Sequence, residues 1–299
     1  MSVLLLAAGI VLVVVGAELF FEAIVALARR LEVSPFALTA LLSGFEVENL
    51  AAGIVADLKG LPGAAAGTFL GGTTFLALGV AGVAALIRPV RAELPPRALA
   101  TTAAAPLPLF ALALDRTLSR ADGAILLVWF ALAMALLWRG APAGAIVGSE
   151  SEPRAATRLA VGLGLLALGG EVLGRGLRAV VSGFGISETL LGNTVIAASV
   201  EAEEVVRVSV PARRGSGDVA LGNVVGTIVH FVAFNAGAIA LVKPLELDEA
   251  SRTLHLPAAV ASAVVFASVV AARGGLGRPA AAALVSAYGA YVAAAVALA

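Results

Sequence analysis

Apolar runs alternate with short polar punctuation along nearly the whole chain. A helix needs about 20 apolar residues to cross the hydrocarbon core of a bilayer. Ten such segments are predicted, at roughly 3–28, 35–57, 63–87, 97–114, 118–138, 156–181, 186–211, 218–242, 253–272 and 279–298. The stretches "ARRLEVSP", "LKGLPG" and "RPVRAELPPR" end the first three, each carrying the charged or Pro/Gly signals that stop a helix. The longest connection, 139–158, falls at the midpoint of the chain. The pattern therefore predicts an all-α polytopic membrane protein, with one half over 1–140, a linker over 141–155 and a second half over 156–299.

Composition agrees. Hydrophobic residues make up 60% of the 299, only 13% are charged, and mean hydropathy is +1.01. A soluble domain carries about 25% charged residues. The 20 basic and 20 acidic residues cancel, so no nucleic-acid partner is implied. The chain has no cysteine, which excludes disulfides and thiolate metal sites. The first apolar run is too long for a signal-peptide core and lacks a basic start, so it reads as a mature helix.

Basic residues set the expected orientation. The loops after the odd-numbered segments hold twelve: Arg29, Arg30, Arg88, Arg91, Arg97, Arg139, Arg154, Arg158, Arg213, Arg214, Arg273 and Arg278. The other loops hold seven: Lys59, Arg116, Arg120, Arg175, Arg178, Lys243 and Arg252. The richer side is expected to be cytoplasmic, with the 141–155 linker on it and both termini outside a cell membrane.

The two halves resemble each other. Residues 13–53 parallel 166–208, and Glu18 precedes Ser34 by 16 residues just as Glu171 precedes Ser187. "GAAAGTFLGGTTF" (63–75) aligns with "GDVALGNVVGTIV" (217–229), and "SGFEVEN" (43–49) with "ASVEAEE" (198–204). Counting forward from Ser34 and Ser187 instead leaves the first half two residues short, which places a deletion near 36–43 and would pair Glu48 with Glu201. An odd number of spans per half makes this an inverted repeat, an architecture that puts ion sites near the midplane at the repeat interface.

Five glutamates lie in the second and seventh segments: Glu46, Glu48, Glu201, Glu203 and Glu204. Each ionised group facing lipid costs about 2.5–3.5 kcal/mol, or well over ~10 kcal/mol for five. They are expected to face the protein interior. Glu201 and Glu204 share a helix face, as do Glu46 and Asn49. Glu203 and Arg207 stand at i,i+4, the spacing of an internal ion pair, which is either purely structural or part of the site. Carboxylate oxygens suit hard cations such as Ca²⁺. Crowded carboxylates also take up protons, one chemical basis for antiport.

At these residues the chain resembles the cation/Ca²⁺ exchanger superfamily, which includes the sodium/calcium exchangers. "GAELFFEAIVALARRLEVSP" (16–35) and "GISETLLGNTVIAA" (185–198) are similar to that family's leader segments. "DVALGNVVGT" (218–227) is close to its third-helix segment. The resemblance implies ten transmembrane helices in two inverted five-helix repeats. "GFEVEN" (44–49) and "SVEAEE" (199–204) stand where the family carries G-T-S-x-P-E, with Glu204 at its central Glu and Asn49 opposite. "GTFLGGTTF" replaces G-N-x-x-G-S-N, leaving Thr68, Thr73 and Thr74. The implied cation ligands are Glu46, Glu48, Asn49, Glu201, Glu203, Glu204, Thr73 and Thr227. Acidic ligands are added and amides partly lost, which favours H⁺ over Na⁺ as counter-ion. The lost family proline leaves continuity of the second helix open.

His230 and Arg207 are candidates for a proton relay or an ion pair; a hydrogen-bonded structural histidine is an equal alternative for the former. Glu18 and Glu171 read as gating or packing acids, the latter pairing with Arg175 and Arg178. His255 reads as structural. Asn223 and Thr227 either lend oxygens or serve small-residue helix packing. No nucleophile–base pair, P-loop or HExxH occurs, so no enzyme or cofactor is expected. The expected activity is secondary antiport of Ca²⁺ or another divalent cation against H⁺ or Na⁺. A passive cation channel or a non-transporting cation-binding membrane protein is the alternative. The expected partners are inorganic cations and the lipid bilayer, and the sequence leaves the oligomeric state open, a monomer being one option.

Overall fold

The computed structural model describes residues 2–140, 154–181 and 202–298, and is almost entirely helical. The helices are α1 (Ser2–Arg30), α2 (Pro35–Leu42), α3 (Val47–Leu58), α4 (Pro62–Ile87), α5 (Pro96–Asp115), α6 (Arg120–Gly140), α7 (Ala155–Val181), α8 (Ala202–Arg213), α9 (Gly217–Val242), α10 (Ser251–Arg273) and α11 (Arg278–Leu298). Eight of them are long and apolar enough to span a bilayer: α1, α4, α5, α6, α7, α9, α10 and α11. Large side chains such as Leu4, Val128 and Leu168 project outward, as a lipid-facing surface requires.

The segment expected at 35–57 is not one helix. It breaks into α2 and α3, with Ser43–Glu46 non-helical between them. Without the family proline, the break still falls at Gly44, a residue unfavourable in helix interiors. The segment expected at 186–211 is described only from 202 onward. Glu201, Ser187, the 185–198 leader and the 141–153 linker lie outside the described residues.

Local chemistry explains the other boundaries. Pro35, Pro62 and Pro96 stand in the first turns of α2, α4 and α5, where the missing N–H costs nothing. Gly60 and Gly215 follow α3 and α8 with φ of 74° and 78°, a conformation that favours glycine. α4 and α9 each contain a π-helical turn, over Phe75–Val80 and His230–Asn235.

Matching features repeat with two-fold symmetry. Gly60 and Gly215, Phe75 and His230, and Ile87 and Val242 are each 155 positions apart. Thr227 thus corresponds to Gly72, and Asn223 to Thr68. The alignment of 63–75 with 217–229 was one residue out of register, because glycine-rich sequence tolerates a slip that helix ends and π turns do not. The same offset pairs Glu48 with Glu203 and Asn49 with Glu204.

The α1–α7 pair shows the inversion directly. A β-carbon on Gly9 would strike Leu173, and one on Gly162 would strike Phe20. One on Gly16 would strike Leu166, and one on Gly169 would strike Val13. Moving 153 positions from one half to the other converts each contact into its partner. The helices are antiparallel and meet backbone to backbone. The offset rises from 153 here to 155 at α3, so the two-residue difference falls between α1 and α3.

Short strands tie the loops of each face. Val90–Arg91 (β1) pairs with Gly275–Leu276 (β4), and Thr117–Leu118 (β2) with Leu245–Glu246 (β3), both antiparallel. Arg158 and Arg214 both reach Glu22 of α1. Loops assigned to one side by basic-residue counting are therefore physically together. α4 and α9 form the centre, with Phe69, Leu76, Ile228 and Phe231 among the core side chains.

Candidate functional site

The carboxylates converge where the α2–α3 break faces α8 and α9. Non-helical backbone at membrane depth is tolerated only where it is buried in protein or lines a cavity. Glu46 stands at the start of α3, and its carboxylate accepts a hydrogen bond from Asn49 Nδ2 at 2.5 Å. Glu203 and Glu204 lie in the first turn described for α8, and Arg207 follows one turn on. Glu46, Asn49, Glu203, Glu204 and Arg207 are all buried, and Glu204 is completely so.

The Arg207 guanidinium is the hub. Nη2 donates to Glu203 Oε1 at 2.9 Å. Nη1 donates to the Ser43 carbonyl at 2.9 Å, lies 3.8 Å from Glu46 Oε1, and pairs closely with Glu204 Oε1. The Cζ atom stands 5.8 Å from the centre of the Phe20 ring on α1, within cation–π range. A carbonyl freed by the helix break is thus satisfied by a cation from the opposite half. Among the described residues, no three acidic or histidine side chains form a metal-ligand group by themselves. They surround the guanidinium.

α9 supplies the amide side. Asn223 Nδ2 donates to Glu204 Oε2, and the Asn223 carbonyl accepts from Ser43 Oγ at 3.3 Å. Asn223 Oδ1 and Thr227 Oγ1, one turn apart, are buried with no hydrogen bond among the described residues. A small cavity of about 20 Å³ lies between α3, α7 and α8, lined by Glu46, Glu48, Asn49, Ala167, Gly170 and Glu203. That volume admits one water or one small ion.

The predicted ligands fare unequally. The structure brings together Glu46, Asn49, Glu203 and Glu204, with Arg207. Glu48 is exposed and lines the cavity wall. Thr73 donates its hydroxyl to Phe69 O at 2.6 Å within its own helix, and the corrected register places it opposite Ile228 rather than Thr227. Thr227 remains beside Asn223. His230 Nδ1 bonds the Gly226 carbonyl at 2.8 Å, and its ring is boxed by Phe45, Phe130 and Phe234. No described contact joins it to a carboxylate. Glu171 pairs with Arg175 at 2.5 Å, and Glu18 pairs with Arg214. The Arg178 side chain lies outside the description. His255 bonds Tyr291 Oη at 2.8 Å.

Two contributors escaped the sequence reading. Ser43 acts through its backbone carbonyl, which no motif reveals. Gly170 matters because a β-carbon there would meet Glu203 Oε2. Only the alignment of the halves could have flagged it, through its mate Ala17.

Known proteins resemble this chain in sequence and in fold. The family model for the sodium/calcium exchanger protein matches residues 1–139 and 155–297. The chain is 27% identical over 264 residues to a candidate antiporter, CaxA, of Alkalimonas amylolytica, covering 81% of each chain. It is 26% identical over 286 residues to the inner membrane protein YrbG of Escherichia coli (strain K12), covering 88% of this chain and 86% of that one. The solved structure of the sodium-calcium exchanger NCX_Mj, soaked with zero Na⁺ and Ca²⁺, superposes with a TM-score of 0.83 at 20% identity, over 98% of both chains. With its inverted halves, broken second segment and buried carboxylates, this integral membrane protein belongs to the sodium/calcium exchanger family.

Proposed function

We propose that this protein is a secondary cation antiporter that moves Ca²⁺ or another divalent cation in exchange for H⁺ or Na⁺ by alternating access. One observation carries the reading. Four oxygens, from Ser43, Glu46, Glu203 and Glu204, converge from both halves of the inverted repeat on a single buried cationic group. That donor set, carboxylates plus a carbonyl, is the kind hard cations take. Asn223 and Thr227 are available to extend it from α9. Glu46, Asn49, Glu203 and Glu204 are the proposed ligands and proton acceptors. Glu48 and Glu201 are assigned to the same site by sequence. Surplus carboxylate over amide favours H⁺ as counter-ion.

The protein resides in the cell membrane with both termini outside, an orientation supported by the excess of basic residues on the β1–β4 face. Inverted clusters meeting at one buried point suit a carrier with two gates better than an open pore.

Flux in proteoliposomes tests the reading. Entry of ⁴⁵Ca²⁺ or Mn²⁺ should require an opposing H⁺ or Na⁺ gradient. Entry that follows membrane potential alone would mark a channel and overturn the proposal.

A further inference from the structure

We propose that Arg207 is a tethered counter-cation that occupies one of the protein's own cation positions and competes with the transported ion for its ligands. The inference rests on the antiport reading above and names what sets affinity at that site.

The partners of the guanidinium make the case. A buried arginine that needs only local charge compensation requires one carboxylate, and Glu203, at i,i+4 on the same helix, would suffice. Arg207 instead gathers Glu203, Glu204, Glu46 and the Ser43 carbonyl, the same oxygens proposed for the cargo. Among the described residues it is the one buried Lys or Arg. The two-fold register makes its counterpart Ala52, so the repeat does not require a base at this position. Glu203 Oε2 makes no hydrogen bond among the described residues, so part of the carboxylate oxygen set is free of competing donors.

The charge count adds a selectivity argument. Glu46, Glu203 and Glu204, the three carboxylates that contact the guanidinium, sum to minus three when ionised, and Arg207 reduces that sum to minus two. One divalent cation neutralises the charge left on these three; one monovalent cation does not. When cargo enters, the fork must release Glu204 and Glu46, while its spacing on α8 lets it keep Glu203. An arginine fork holds two oxygens at once and is always charged, so it competes at every pH at which the carboxylates are ionised.

Cation titration of the purified full chain in detergent, by calorimetry and by thermal shift, tests the inference with CaCl₂, MnCl₂ and NaCl. R207Q should bind the divalent cations about tenfold or more tightly than the parent and should gain a Na⁺ response, since close charge pairs of this kind couple strongly. R207K keeps the charge but cannot span two carboxylates, so its affinity should rise by a smaller factor. It carries the test if R207Q does not fold. Unchanged or weaker divalent binding in whichever of these variants is monodisperse overturns the role given to Arg207, with antiport left standing. A parent protein that binds none of these cations, and does not differ from E204Q, overturns the antiport reading and this inference with it.

Discussion

Gly170 of α7 lies against the Glu203 carboxylate: a β-carbon at that glycine would fall 2.5 Å from Glu203 Oε2. The obstructed atom is the far end of a flexible side chain, so Gly170→Ala should cost little stability. It should still displace the carboxylate from Arg207 and alter divalent affinity severalfold. Gly170→Val should do so more strongly. Thermal unfolding alongside cation titration separates the effects. Equal loss of stability and affinity in the alanine variant would show that Gly170 serves packing alone.

Burial ranks the acids. Glu204 is completely buried and bonded to both Arg207 and Asn223, whereas Glu48 is exposed. Glu204→Gln is expected to abolish cation-dependent thermal stabilisation, and Glu48→Gln to reduce it only modestly. Bound ligand raises stability in proportion to the logarithm of its concentration over its dissociation constant, so the slope of Tm against Ca²⁺ reports each loss. Normal Ca²⁺ stabilisation of the Glu204→Gln protein would move the site elsewhere.

The α1–α7 seam predicts a sharp contrast between glycines on one helix. A β-carbon at Gly162 would meet Phe20 N at 2.8 Å, while one at Gly164 would meet nothing within 4 Å. Gly162→Leu should cost about 1–3 kcal/mol or more through overpacking. Gly164→Ala should be neutral or gain up to ~1 kcal/mol from helix propensity. Denaturation in a single detergent would compare them, and similar stabilities would refute the close approach.

Ion pairs at the two faces should differ in weight. Arg214 with Glu18 and Glu22 is well exposed, and such pairs contribute about 0–1 kcal/mol. Arg214→Gln should therefore shift Tm slightly, and the shift should shrink in high salt. Lys243 instead donates to the Asp57 carbonyl at 2.6 Å and lies 3.4 Å from Oδ1 of a carboxylate that is almost fully buried. Lys243→Met strands that group and should cost about 1–3 kcal/mol. A smaller effect for Lys243→Met than for Arg214→Gln would reverse the ranking.

Much of this was legible in sequence because the relevant signals are local. Hydrophobic run length found the long helices, and the i,i+4 spacing found Glu203–Arg207. Matched Glu, Gly and Ser spacing found the inverted halves. What escaped depends on backbone state or on distant partners. The Ser43 carbonyl is available only because the helix breaks there, and it meets Arg207 from 164 positions away. The π turns leave no pattern in the side chains. Thr73 was included for its hydroxyl, but a hydroxyl that can bond the carbonyl four residues back is readily consumed by its own helix. Glu48 looked equivalent to Glu203, yet only the latter has a base one turn along.

α1 and α7 reach the charge cluster from two directions: Phe20 of α1 stands by the guanidinium, and Gly170 of α7 lies against Glu203. Along their shared seam Gly9, Gly16, Gly162 and Gly169 bring the two backbones together, so shear between them would drive side chains into backbone. Mechanically they are one beam. Whatever displaces either must carry both, and the beam then shifts the packing around Arg207 and Glu203 in the same stroke.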